Sequence, residues 1–173
     1  MIDQTSNSYE DGLAAFYDGE IKGEAIYSAL LEGTSDPLER LKLAHLLQLE
    51  TETKAWLRPH MILAGLSVAE PPVLRKAALK FTDALIKLDW REKMKALSDL
   101  VPISAKQYRG YAEAARARGD DQRAAVCDFM VEHELDQGNF ARLELEGADA
   151  AVSLAPILRH SRYPLPVGGS SAA

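Results

Sequence analysis

Apolar positions recur along this chain at spacings of three and four and almost never alternate. Leu13, Phe16, Tyr17, Tyr27, Leu30 and Leu31 form one such stripe, which predicts a helix from about Tyr9 to Glu32. Gly33 should stop it, and Ser35-Asp36-Pro37 supplies a cap followed by proline in the first turn. A second helix, from Asp36 towards Leu66, carries Leu43, Leu46, Leu47, Leu57 and Ile62. Pro59 is expected to kink that helix or end its regular part. After a turn over Ser67 to Pro72, helical stretches follow from about Val73 to Asp89 and from Trp90 to Arg118, the latter with a possible break at Pro102. Gly119-Asp120-Asp121 reads as a stop and restart. The last long helix then covers about Asp121 to Gly147, and a short one runs from Ala148 to His160.

Long helices joined by short turns are what a bundle needs, so the expected class is all-α. No internal repeat and no second domain is visible. Residues 1–162 read as a single helical domain, and residues 163–173, with two prolines and Gly168-Gly169, as a tail that frays.

Composition narrows the classes of function. The chain has 173 residues, 47% of them hydrophobic and 27% charged, which is enough to fill one globular core. A net charge of −6 argues against a phosphate backbone as partner, so no nucleic acid is expected. The single cysteine, Cys127, excludes an internal disulfide framework and reads as a core thiol. No run of eighteen apolar residues exists, and the first ten residues are polar and acidic, so a cytoplasmic protein with no membrane contact is expected. No Gly-rich phosphate loop, Cys-x-x-Cys or His-Glu-x-x-His is present.

The informative feature is a set of acids on the apolar stripes. Glu20 and Glu24 continue the stripe of the first helix, four residues apart, where like charges repel. Glu50 continues Leu43, Leu46 and Leu47, with Thr53 one turn on. Glu134 lies between Met130 and Ala141, with Gln137 one turn on. An unpaired buried carboxylate costs several kcal/mol, so such acids must be protonated, paired or bound to a cation. Carboxylates converging from several helices make a metal site in a bundle core. The bland reading stands beside it: Glu50 could pair with Lys54 on the surface, Glu24 could sit at a rim, and Glu132-His133-Glu134 could be a solvated edge. His133, next to Glu134, is expected to point about 100° away from the stripe.

Phe16-Tyr17-Asp18-Gly19-Glu20, continuing to Ala25-Ile26-Tyr27, resembles the first helix of rubrerythrin-like members of the ferritin-like superfamily. Gln48 to Lys54 is similar to the second helix, and Tyr108 to Ala115 with Gly119-Asp120 to the end of the third. Glu132 to Gln137 is similar to the fourth. The resemblance covers about residues 9 to 147. It implies a four-helix bundle with a long crossover between its second and third helices, here holding an extra helix. It also implies a carboxylate-bridged di-iron or di-manganese centre used in oxygen or peroxide chemistry, with Glu20, Glu50 and Glu134 carried over as ligands. Glu24 is a further candidate, and Tyr27 and Tyr108 stand close to the ligand positions. The chain departs from the family where Glu-x-x-His is expected, having Thr53 and Gln137, and where the third-helix acid should stand, having Ser104-Ala105.

Two functions of different kind follow. One is an altered carboxylate site that binds iron, manganese, calcium or magnesium, with possible redox turnover of an unspecified small molecule. The other is a metal-free scaffold that binds a partner, its core acids protonated or paired with Lys22, Lys54 or Arg109. A homodimer is expected in either case, because the segment Val73 to Leu88 carries more apolar residues than a monomer covers.

Overall fold

The computed structural model describes residues 8–162, and the expected tail at 163–173 lies outside them. Six helices follow in order: α1 (Tyr9–Gly33), α2 (Pro37–Leu63), α3 (Pro72–Leu85), α4 (Trp90–Ala117), α5 (Asp121–Leu145) and α6 (Ala150–Leu158). Among the described residues the class is all-α, and no helix is long and apolar enough to cross a membrane.

Short acidic or hydroxyl side chains start most of these helices. Ser8 and Asp11 form a capping box on α1, and Asp89 and Glu92 form another on α4. Asp36, Asp120 and Asp149 cap α2, α5 and α6. Gly65, Gly119 and Gly147 follow helix ends with φ near +73° to +79°, a conformation that costs glycine nothing. Pro59 and Pro102 break no helix. Both are exposed, so water can reach the carbonyl that each leaves unpaired.

Side-chain contacts fix the course of the chain. Arg40 at the start of α2 donates to the carbonyls of Leu31 and Thr34 at the end of α1, so the two helices are antiparallel. Helix α3 returns along α1, with Arg75 beside Glu24 and Ile86 beside Gly33. Trp90 of α4 then meets Lys42 near the start of α2, and Trp90 Nε1 donates to Glu144 of α5. Arg116–Asp128 closes the other end of the α4–α5 pair. Helices α2 and α4 therefore run in one direction, α1 and α5 in the other, and α6 covers the open side of α5 and α2.

The core is in two parts. At one end Tyr9, Leu13, Phe16, Tyr17, Leu57, Met61, Tyr108 and Met130 pack together. At the other, Tyr27, Leu30, Leu43, Leu46, Leu49, Met94 and Phe140 do so. Each long helix passes from one cluster to the other, and near the junction α1, α2 and α5 bury Glu20, Glu50, Thr53 and His133. A polar layer thus lies across the bundle at mid-height.

Candidate metal centre

Three side chains meet in that layer. Glu20 of α1, Glu50 of α2 and His133 of α5 each offer one ligand atom, and these atoms all lie within 4.8 Å of one another. All three are buried, at 1%, 3% and 0% exposure. His133 Nε2 stands 3.4 Å from Glu20 Oε1 and 3.5 Å from Glu50 Oε1. This corrects the expectation that His133 points away from the core. The inward face of α5 spans both His133 and Glu134, and the histidine takes its centre.

Neighbours hold these groups in place. Gln137 Nε2 donates to Glu50 Oε1 at 2.8 Å and lies 2.8 Å from His133 Nε2. Tyr27 in turn donates its hydroxyl to Gln137 Oε1 at 2.6 Å. Thr53 Oγ1 lies 3.4 Å from His133 Nδ1. In the tautomer that carries its proton on Nδ1, towards Thr53, the Nε2 lone pair faces both carboxylates, the orientation of a metal-ligating imidazole. Glu20 Oε2 is buried with no hydrogen-bond partner.

The remaining candidate ligands are placed differently. Glu24 faces α3 and is engaged by Lys54, Arg75 and Thr51. Lys54 also meets Glu70 at 2.9 Å, so its charge is shared on that side of α2. Glu134 stands outside the group of three and lines a cleft between α1, α4 and α5. That cleft has a volume of about 500 Å³ and includes Glu50, Gln137, Tyr27, Tyr108 and Ser104 among its lining residues. Ser104 stands where the resemblance leads one to expect an acid, and the cleft opens there.

Burial and like charge both act on the titratable groups of this layer. Burial lifts the Glu20 carboxyl well above the ordinary range, and Glu50 and Glu134 add to the effect. Burial likewise pushes Glu134 up to about 7, with Glu50 adding and His133 and Ser104 opposing. Burial disfavours the charged form of His133, but Glu50, Glu134 and Asp136 outweigh it and raise its pKa. The phenols of Tyr27 and Tyr108 are raised by burial and then by the same carboxylates.

Two glycines make the layer possible. A Cβ on Gly23 would overlap Glu50 Oε2, and a Cβ on Gly19 would come within 2.9 Å of the Tyr108 hydroxyl. The helix accepts the weaker propensity of glycine where the acid needs room. Elsewhere, Cys127 is fully buried and its thiol is pushed up to about 11 by burial, so it is an inert core residue.

The three-residue donor set could hold a metal ion. Two carboxylates and one imidazole match ions of intermediate hardness, and the orphaned Glu20 oxygen is a ready ligand atom. Comparison of the chain with protein-family models, with curated proteins and with solved structures returns no match.

Proposed function

We propose that this chain is a metal-binding protein of ferritin-like architecture, holding one divalent transition-metal ion at Glu20, Glu50 and His133. The observation that carries this reading is a buried group of three converging donors, one of them with an oxygen that nothing else satisfies. In favour of the architecture, α2 and α4 run the same way, and the chain between them returns along the bundle through α3. The donor set differs from the carboxylate-only site expected from sequence. Imidazole shifts the preference from calcium and magnesium towards iron, manganese or zinc, and three protein ligands leave positions open.

A bound ion of this kind supplies Lewis-acid polarisation or, for iron and manganese, redox chemistry on oxygen or peroxide. The protein's own groups have distinct tasks. Glu20 and Glu50 provide two negative charges that neutralise a divalent ion. Thr53 orients His133, while Tyr27 fixes Gln137, which fixes Glu50. Glu134 faces the cleft, and burial brings the titration of its carboxyl up to about 7.

One observation favours a metal-free scaffold as the second reading. Gln137 already donates to Glu50, and a proton shared between Glu20 and Glu50 would relieve part of the repulsion. Metal analysis of protein purified without chelator or metal-affinity resin separates the two, together with titration by manganese(II) and iron(II). One equivalent of bound metal, and a melting temperature that rises with metal, are expected. At a hundred times the dissociation constant, the gain is about 2.7 kcal/mol. No bound metal and no thermal shift would establish the scaffold reading.

A further inference from the structure

The cleft between α1, α4 and α5 is larger than an ion or a water molecule requires. Its volume of about 500 Å³ lies in the range that takes a small organic molecule. Part of its wall is apolar, formed by Ile26, Leu97, Leu100, Val101, Ile103 and Phe140. Leu100 is 40% exposed and Ile103 67%, so apolar surface is left open at the edge.

The polar end has a definite sign. Among the lining residues the acids are Asp18, Glu50 and Glu134, and the one cation is Lys22, which is exposed. Lys54, a buried cation of α2, is committed to Glu24 and Glu70. With a divalent ion on Glu20, Glu50 and neutral His133, those charges sum to zero. Glu134 lies outside that balance, with the Ser104 and Tyr108 hydroxyls lining the same cleft. Without the ion, the floor is more electronegative still.

We propose that this cleft binds a small amphipathic amine, its apolar body along Ile26, Leu97, Leu100 and Val101 and its ammonium group on Glu134. The assignment goes beyond the metal reading and does not depend on it, because Glu134 lies outside the three metal donors. An ammonium group donates up to three hydrogen bonds, which the Glu134 carboxylate and the Ser104 and Tyr108 hydroxyl oxygens can accept. An anionic head group would face Glu50 and Glu134 at the polar end, with Asp18 in the same lining, where like charge is costly. A bare cation would leave the apolar walls uncovered.

The test is calorimetric titration at pH 8 with n-octylamine, n-octanol and octanoate, and with butylamine and hexylamine for chain length. The same series is run on metal-free protein and on protein loaded with manganese(II). Octylamine is expected to bind at least tenfold tighter than octanoate, and affinity to rise about fourfold per added methylene at most. Glu134→Gln should lower octylamine affinity roughly tenfold, the value of a charge-assisted hydrogen bond, without altering that for octanol. Leu100→Asp, at an exposed position, should weaken octanol and flatten the chain-length series.

Glu20→Gln should leave octylamine binding intact while lowering metal binding, so that each reading can fail alone. Equal affinity for amine and carboxylate would overturn the proposal. So would an amine preference that survives Glu134→Gln, or an affinity independent of chain length. Loss of octylamine binding on manganese loading would also overturn it, because the amine would then be sitting on Glu50 in the metal's place.

Discussion

The Glu50 carboxylate occupies the volume that a side chain on Gly23 would fill. One helix therefore gives up a Cβ so that an acid on its neighbour can reach the middle of the bundle. Gly23→Ala sets two effects against each other. Alanine favours the helix by about 1 kcal/mol, whereas overpacking costs about 1–3 kcal/mol. The cost should win, because the overlap is with a carboxylate held by Gln137 and walled by Glu20 and His133. Metal affinity should fall at least tenfold as Glu50 is displaced, which a manganese titration of the variant measures. Unchanged affinity would show that Glu50 is not held against α1.

Glu20 and Glu134 should respond differently to the same substitution. Glu20→Gln removes a desolvated acid with a buried, unsatisfied oxygen, so metal-free stability should stay level or rise, by up to about 2 kcal/mol. Its cost should appear only with metal, as loss of the metal-induced rise in melting temperature. Glu134→Gln should likewise leave metal-free stability level or higher, but keep most of the metal-induced rise. Thermal melts of both variants, with and without manganese(II), check the contrast. If Glu134→Gln also abolishes the rise, Glu134 is a ligand and the set of three is incomplete.

Acid should attack the other side of α2. Hydrogen bonds from Lys54 and Arg75 depress the Glu70 carboxyl to about 2, against the burial that opposes them. A carboxyl with a depressed folded-state pKa stabilises fully above its ordinary value and loses that contribution as pH falls towards the folded one. Urea unfolding between pH 5 and pH 2.5 should therefore show falling stability, and Glu70→Gln should make the fall shallower. At pH 7 the variant should be less stable by roughly 1 kcal/mol, since solvent screens this partly exposed pair. A variant with the same acid slope as wild type would remove Glu70 from the account.

Association is expected through the outer face of α3. Ala78, Thr82 and Leu85 of this helix are buried, whereas Val73, Leu79 and Phe81 stay exposed, followed by Ile86 just beyond its end. Light scattering at micromolar concentration should give twice the monomer mass, and Leu79→Glu with Phe81→Glu should return the monomer. A wild-type particle of monomer mass would refute the homodimer.

The helices themselves were legible from local pattern. The starts of α2 and α5 follow directly from Asp36 and Asp120, because capping is settled within one turn of chain. Pro59 and Pro102 were harder, since whether a proline breaks a helix depends on whether its orphaned carbonyl can reach water. Glu20 and Glu50 were also legible, as charged residues on stripes that are otherwise apolar. His133 was not, because one turn of α5 offers both His133 and Glu134 to the interior. A rotation of that helix by less than one residue's arc decides between them. The available signal was the spacing Met130, His133, Gln137 and Phe140, which is as regular a stripe as the one through Glu134.

The sequence by itself determined that this chain is helical, where most helices begin and end, and that acids lie on its apolar faces. Those properties rest on interactions within a few residues of one another. Only the tertiary structure decided which acids meet, because that depends on the rotation and register of α1, α2 and α5 against each other. It drew Glu24 out to Lys54 and Arg75, set Glu134 beside a cleft, and brought a histidine between Glu20 and Glu50. The packing of the two apolar clusters fixes that rotation, and the polar layer between them takes whatever side chains the packing turns inward.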